Sequence, residues 1–293
     1  MIDAMRLGHL DQVALVTRRP GVDVHVLAGI DVRLYPDRGL DVGAAWFRGL
    51  PLAWISPVGE GGAEAAAWSD AWGGGLVTTC GLDNVGAPSE GIGLHGTYTF
   101  LAARDVEALQ HPDAIVCRAS VEEPRGLHVF RTVRTAVGEG RLELVDRTEN
   151  RAGHALEAPV LYHVNLGWPL WDAGARLESD AAEVVPRDAA ASPHDWRDAP
   201  PEPVDEPERV WEHVGATHAR VTNEGLGVSV TITSDLPRLW QWVHPAPGMC
   251  ALGVEPANCS VLGRAHDRAE GRLPMLEPGE ERTTSVTIRA ETL

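Results

Sequence analysis

Across 293 residues, apolar side chains hardly ever recur at the three- and four-residue spacing of a helix; they alternate in short runs. The runs fall at 12–17, 23–27, 31–35, 40–47 and 50–55, then 112–119, 125–135, 140–150 and 157–166. A last series follows at 210–214, 218–223, 227–233, 239–244, 249–254 and 283–290. Turn formers separate them, among them Pro20-Gly21, Pro36-Asp37-Arg38-Gly39 and Pro57. A two-residue period buries one face of a strand, and tight punctuation joins neighbours as antiparallel meanders. The pattern predicts an all-β chain with few short helices: one large antiparallel sandwich over 1–293 rather than separate domains. Residues 171–209 break it. They are rich in Asp, Glu, Ala and Pro, and they read as an irregular excursion covering one end of a sheet.

At 44% hydrophobic the chain can fill a sizeable core. Its net charge is −17 and all 25 basic residues are arginine, a balance that argues against nucleic acid or an anionic membrane surface as partner. An anionic small molecule stays compatible, since a pocket can be locally positive. Cys80, Cys117, Cys250 and Cys259 form no C-x-x-C pair and read as reduced residues of a cytoplasmic protein. The N-terminus shows no signal-peptide pattern, and no window approaches a membrane span. Ten of the sixteen aromatics are tryptophan, several at strand ends, which suits carbohydrate binding as well as core packing.

The polar candidates sit in otherwise apolar runs. In the strand 160–166, His163 and Asn165 share one face and Tyr162, Val164 and Leu166 the other. Gly167 and Pro169 end the strand with Trp168 at its tip, where an indole can wall a sugar ring; a core strand with a backbone-bonded histidine is the alternative. His95 lies in a glycine-rich run, and Glu255 interrupts an apolar strand just before Pro256. A carboxylate there is costly to bury unless paired, and exposed at a strand end it would be idle. Two histidines and one carboxylate in a cleft exchange protons near neutral pH. Arg38 either grips a substrate hydroxyl or anionic group or pairs with Asp37 or Asp41. Asp83 and Asn84 precede His95 and would line the same cleft, while Trp240 stacks on a ring or fills core. Trp211 and His213 share a face, which makes His213 a further candidate. His95, His163 and His213 lack the local spacing of metal ligands, so neither metal nor cofactor is expected. Gly73-Gly74-Gly75 is no phosphate loop, since no lysine or helix follows; it suits close backbone packing.

Leu94-His95-Gly96, Tyr162-His163-x-Asn165-Leu166 and Gly253-x-Glu255-Pro256, in that order, resemble the galactose mutarotase (aldose 1-epimerase) superfamily. The closer resemblance is to a bacterial aldose 1-epimerase-like branch, mostly without assigned substrates. It rests on Pro36-Asp37-Arg38-Gly39-Leu40-Asp41-Val42-Gly43, on Gly74-Gly75-Leu76-x-Thr78-Thr79-Cys80-Gly81-Leu82-Asp83-Asn84-Val85-Gly86, on Leu161-Tyr162-His163-x-Asn165-x-Gly167-Trp168-Pro169 and on Leu252-Gly253-x-Glu255-Pro256-Ala257-Asn258-Cys259. It runs from about residue 20 to the end. The resemblance implies a β-supersandwich with a sugar cleft on one sheet. It implies His163 as the acid at the ring oxygen, Glu255 as the base at the anomeric hydroxyl, and His95 as an orienting donor. It also implies an acceptor for the sugar hydroxyls, a place open to Gln241, between Trp240 and Trp242, or to Asp83 or Asn84. The H-x-N-L spacing after His163 is shorter than that of the usual mutarotase.

The expected activity is that of an isomerase interconverting the anomers of a free aldose or modified sugar. A non-catalytic sugar-binding or sensing protein, or another sugar epimerase or lyase on the same scaffold, are the alternatives. A glycosidase would need a second carboxylate across the bond. The expected partner is a small carbohydrate; homo-oligomer formation is left open.

Overall fold

The computed structural model describes residues 20–59, 68–247 and 249–293. The run expected at 12–17 lies outside them. In chain order the strands are β1 (Val22–Val24), β2 (Ile30–Tyr35), β3 (Asp41–Phe47), β4 (Leu50–Pro51), β5 (Val77–Gly81), β6 (Arg104–Gln110), β7 (Ala114–Glu122), β8 (Leu127–Ala136), β9 (Arg141–Asn150) and β10 (Leu156–Glu157). They continue as β11 (Val160–Leu166), β12 (Ala175–Ser179), β13 (Glu183–Pro186), β14 (Arg209–Val214), β15 (His218–Asn223), β16 (Val228–Ser234), β17 (Arg238–His244), β18 (Ala251–Ala257), β19 (Met275–Leu276) and β20 (Glu281–Thr292). Among the described residues two short α-helices, α1 (Trp68–Ala71) and α2 (Arg264–Ala269), accompany them. The all-β expectation holds, with few short helices.

A ten-stranded sheet runs β1-β2-β3-β5-β11-β18-β17-β14-β13, with β4 beside β3. An eight-stranded sheet runs β12-β15-β16-β20-β9-β8-β7-β6. Named neighbours pair antiparallel throughout. Alternation sorts the residues. Tyr162, Val164, Leu252, Val254, Leu239 and Val243 face the eight-stranded sheet and join Val133, Leu144, Val286 and Ile288 in the main core. Leu161, Ala257, Trp240, Trp242 and Cys80 turn to the outer face, where they form a second apolar cluster with Trp54 and Trp68.

A buried ionic network crosses between the sheets. Arg131 on β8 donates to Asp41 on β3 at 2.8 Å and to Asp146 on β9 at 2.6 and 2.9 Å. Tyr162 on β11 donates to Asp146 at 2.7 Å, and Thr79 on β5 to Asp41 at 2.7 Å. Asp41 is raised above the usual carboxylate range by burial, with Arg131 opposing.

The excursion at 171–209 is more regular than its composition indicates. It supplies β12 to an edge of one sheet and β13 to an edge of the other, and Trp171, Leu177, Trp196 and Ala199 enter the main core. Four large or well-placed apolar side chains, with backbone carbonyls of the segment bonded by core residues, compensate for its lack of strand formers. Trp211 Nε1 donates to the Ser192 carbonyl at 2.7 Å and Gln241 Nε2 to that of Trp196 at 2.8 Å. The four cysteines form no disulfide. No described helix is long and apolar enough to cross a membrane.

Candidate active site

The outer face of the ten-stranded sheet brings the two distant motifs into register. Val164 pairs with Val254 and Leu161 with Ala257, so His163 falls directly opposite Glu255. On the other flanks Thr78 pairs with His163 and Trp240 with Glu255. His163 Nε2 lies 3.1 Å from Glu255 Oε1, with side chains only 4% and 3% exposed. The approach is close but not aligned as a hydrogen bond: Glu255 Oε1 and His163 Nδ1 have no hydrogen-bond partner among the described residues. Gly253 makes the approach possible, because a Cβ there would meet Glu255 Oε1 at 2.6 Å and His163 Cε1 at 2.8 Å.

Rings enclose the pair. Trp72 and Trp242 stand with centroids 5.0 and 5.3 Å from the His163 ring, and His95 at 5.9 Å. Trp68 packs on His95 at 4.7 Å and on Trp72 at 4.7 Å; Trp54 packs on Trp72 at 5.0 Å. Trp72 Nε1 donates to Thr78 Oγ1 at 3.0 Å. The glycine run serves this packing: at Gly74, φ +71°, a Cβ would meet the Trp54 carbonyl oxygen at 2.6 Å.

Such a setting penalises charge. Burial pushes Glu255 up to about 8, with the Glu208 carboxylate adding to the rise. Burial takes His163 well below its ordinary value, His95 adds to the fall, and Asn165 on the same face opposes it. Burial thus works against the imidazolium and carboxylate that the resemblance implies and favours a carboxylic acid facing a neutral imidazole. Either form holds one proton between the two groups. Burial also lowers His95 to about 4, and its Nδ1 accepts the Gly86 backbone N–H at 3.4 Å. The neutral ring therefore carries its proton on Nε2, as a donor. His95 adopts φ 57°, in the left-handed region.

The remaining candidates divide by face and by use. Asn165 is on the site face, but its Nδ2 donates to the Gly75 and His163 carbonyls, each at 2.9 Å. Arg38 donates to the Ala71 carbonyl at 3.0 Å and, with Asp41, Trp72 and Thr78, lines a small cavity beside the pair. Trp240 lies on the site face opposite Glu255, its Nε1 bound to the Cys259 carbonyl at 3.2 Å. Trp168 is not among the rings around His163.

Two further candidates are engaged in holding a loop, and two are corrected. Asp83 accepts from Thr97 N and Oγ1, both at 2.9 Å, and from Asn84 N at 3.0 Å. Asn84 donates to the Ala87 and Gly93 carbonyls at 3.0 Å and accepts from Arg264 N at 3.0 Å. Both hold the loop that carries His95. Gln241 and His213 face the other side of the sheet, since Trp240 and Trp242 take the outer face and the residue between them must take the inner one. There they bond each other at 2.9 Å, and His213 Nδ1 bonds Ser179 at 2.8 Å. Trp54, Trp68, Trp72 and Trp242 join the site although no motif of the sequence assigns them to it. The Trp68-x-x-x-Trp72 and Trp240-x-Trp242 spacings each place two indoles on one face and carried that signal in the sequence.

Residues 20–290 match the family model of a domain of unknown function, DUF4432. A comparison with curated proteins found no match. Among solved structures, the chain superposes on proteins named "putative aldose 1-epimerase" from Klebsiella pneumoniae and Escherichia coli K12. The first has TM-score 0.81 at 22% identity, over 92% of this chain and 78% of that one. The second has TM-score 0.65 at 17% identity, over 94% and 100%. A galactose mutarotase-like protein from Clostridium acetobutylicum gives TM-score 0.64 at 11% identity, over 94% and 99%. The fold is that of the galactose mutarotase-like proteins.

Proposed function

The chain belongs to the DUF4432 family, built on the galactose mutarotase-like fold, and from that premise we propose that it interconverts the anomers of a free aldose or modified sugar. The observation that carries this reading is the facing of His163 Nε2 and Glu255 Oε1 at 3.1 Å inside a box of indoles. Ring opening needs a proton delivered to the ring oxygen as another leaves the anomeric hydroxyl; the C1–O5 bond breaks, C1=O forms, and rotation about C1–C2 precedes reclosure. Two groups sharing one proton perform both transfers without a cofactor. In the resting form Glu255 donates and His163 accepts, and reclosure returns the proton. The two groups exchange roles between directions, so the pH limits belong to the pair rather than to either residue. His95 Nε2 orients a sugar oxygen, and the indoles present flat apolar faces to the C–H side of the ring.

Saturation-transfer NMR on a panel of free sugars, with spontaneous mutarotation subtracted, tests this. Glu255→Gln and His163→Asn should each slow turnover by roughly a hundredfold to ten-thousandfold, with sugar binding weakened much less. The rate should fall above pH 8, as Glu255 loses its proton, and at low pH as the pair gains a second one. Wild-type rates in both variants would remove the assignment. The near-complete burial of the pair favours a second reading, a sugar-binding protein without turnover; binding without exchange in the same experiment would select it.

A further inference from the structure

The rim of the site carries polar groups that the acid–base pair leaves unused. Arg187 follows β13, Glu208 precedes β14 and His244 ends β17, so two of the three come from the 171–209 excursion. Glu208 Oε2 accepts the Trp242 indole N–H at 2.8 Å, and Glu208 Oε1 accepts from Arg187 Nη1 at 3.2 Å. The same Trp242 ring meets His163 at 5.3 Å and His244 at 5.7 Å. Trp242 therefore joins the buried pair on one side to this polar set on the other. The side chain of Glu208 is 45% exposed and that of Arg187 25%, against 3% for Glu255, so this set reaches solvent where the pair does not. His244 Nδ1 is buried without a hydrogen-bond partner among the described residues. The Glu208 charge reaches Glu255, His95 and His244, and that of Arg187 reaches Glu255 and His95.

We propose that Arg187, Glu208 and His244 form the subsite that reads two neighbouring hydroxyls of the sugar. A carboxylate with lone pairs to spare accepts from both hydroxyls of a vicinal diol, while the guanidinium and imidazole donate to their oxygens. Charge-assisted bonds of this kind discriminate strongly against an analogue that lacks the hydroxyl, because the protein groups are then left unpaired. The inference rests on the reading of this face as a sugar site. It makes the excursion the specificity element of the molecule, with the chemistry held on the central strands.

The test uses the full chain with D-glucose, D-galactose and their 2-deoxy, 3-deoxy and 4-deoxy analogues. Binding and anomer exchange are followed by NMR in wild type, Arg187→Ala, Glu208→Ala and Glu208→Gln. The Gln variant retains an acceptor for Trp242 and guards against a folding defect. Wild type should prefer one parent sugar over each of the two deoxy analogues that lack one of two neighbouring hydroxyls by about 10- to 100-fold, expressed mainly in KM or Kd. In the variants that preference should collapse, the parent sugar falling to the level of its analogue. Variants that weaken all sugars equally and keep the wild-type preference would overturn the subsite, as would variants without effect. Wild type that neither binds nor interconverts any of these sugars or of the wider panel would fail the sugar-site reading itself and the subsite with it.

Discussion

A methyl group on Gly253 would sit inside contact distance of both reacting side chains, 2.6 Å from Glu255 Oε1 and 2.8 Å from His163 Cε1. Gly253→Ala should therefore spread the pair. A displacement near 1 Å at reacting groups costs about a hundredfold in rate, while the strain should lower stability by about 1–3 kcal/mol. Exchange NMR and denaturant unfolding measure the two separately, and a variant with wild-type turnover would show that the close approach is dispensable. Glu255 also leaves a mark on stability. Unfolded, it ionises near 4.5; folded, it holds its proton to about 8. The folded state binds the extra proton between these values, so this contribution is whole below pH 4.5 and is lost as pH rises towards 8. Glu255→Gln should gain on wild type across that window, by a few kcal/mol at most, and match it at pH 4. His163 and His95 act oppositely: both are lowered, so their contribution is whole above pH 6.5 and is lost as pH falls.

On β17 the two faces of one strand serve different ends. Trp240, Trp242 and His244 face the site, whereas Gln241 ties His213 to the Trp196 carbonyl on the inner face. Gln241→Leu would leave His213 Nε2 and that carbonyl buried without partners, at about 1–3 kcal/mol each. Its midpoint of unfolding should fall while kcat/KM of the folded fraction stays at the wild-type level. A loss of kcat/KM without a loss of stability would place Gln241 in the site after all. The same logic separates the Asp83 and Asn84 pair from His95: the first two shape the loop, and the third projects from it.

Across the whole molecule, Arg131 joins the sheets through Asp41 and Asp146. Arg131→Met would leave two carboxylates buried beside each other without their cation, and removing one partner of a buried ion pair costs about 3–5 kcal/mol. Because the network spans β3, β5, β8, β9 and β11, the loss should appear as one cooperative drop in stability by both far-ultraviolet circular dichroism and tryptophan fluorescence. Separate transitions for the two signals would mean that the sheets are not coupled through it.

Alternation, turn residues and the missing helical period were enough to read the all-β architecture, because those signals are local and each strand declares its own pleat. They also place His163 and Asn165 on one face and exclude Gln241 from the face of its flanking tryptophans. The motif resemblance singled out His95, His163 and Glu255. Register was a different matter. That position 163 falls opposite 255 follows from the pairing of β11 with β18, strands about ninety residues apart, and no local pattern encodes which strands become neighbours. The same holds for the role of 171–209, whose edge strands and buried tryptophans are stable only against sheets built elsewhere. The electrostatic setting of the pair likewise depends on tertiary structure: composition shows a glutamate and a histidine, but the indoles that bury them, and so favour an acid facing a neutral ring over an ion pair, converge only in the folded chain.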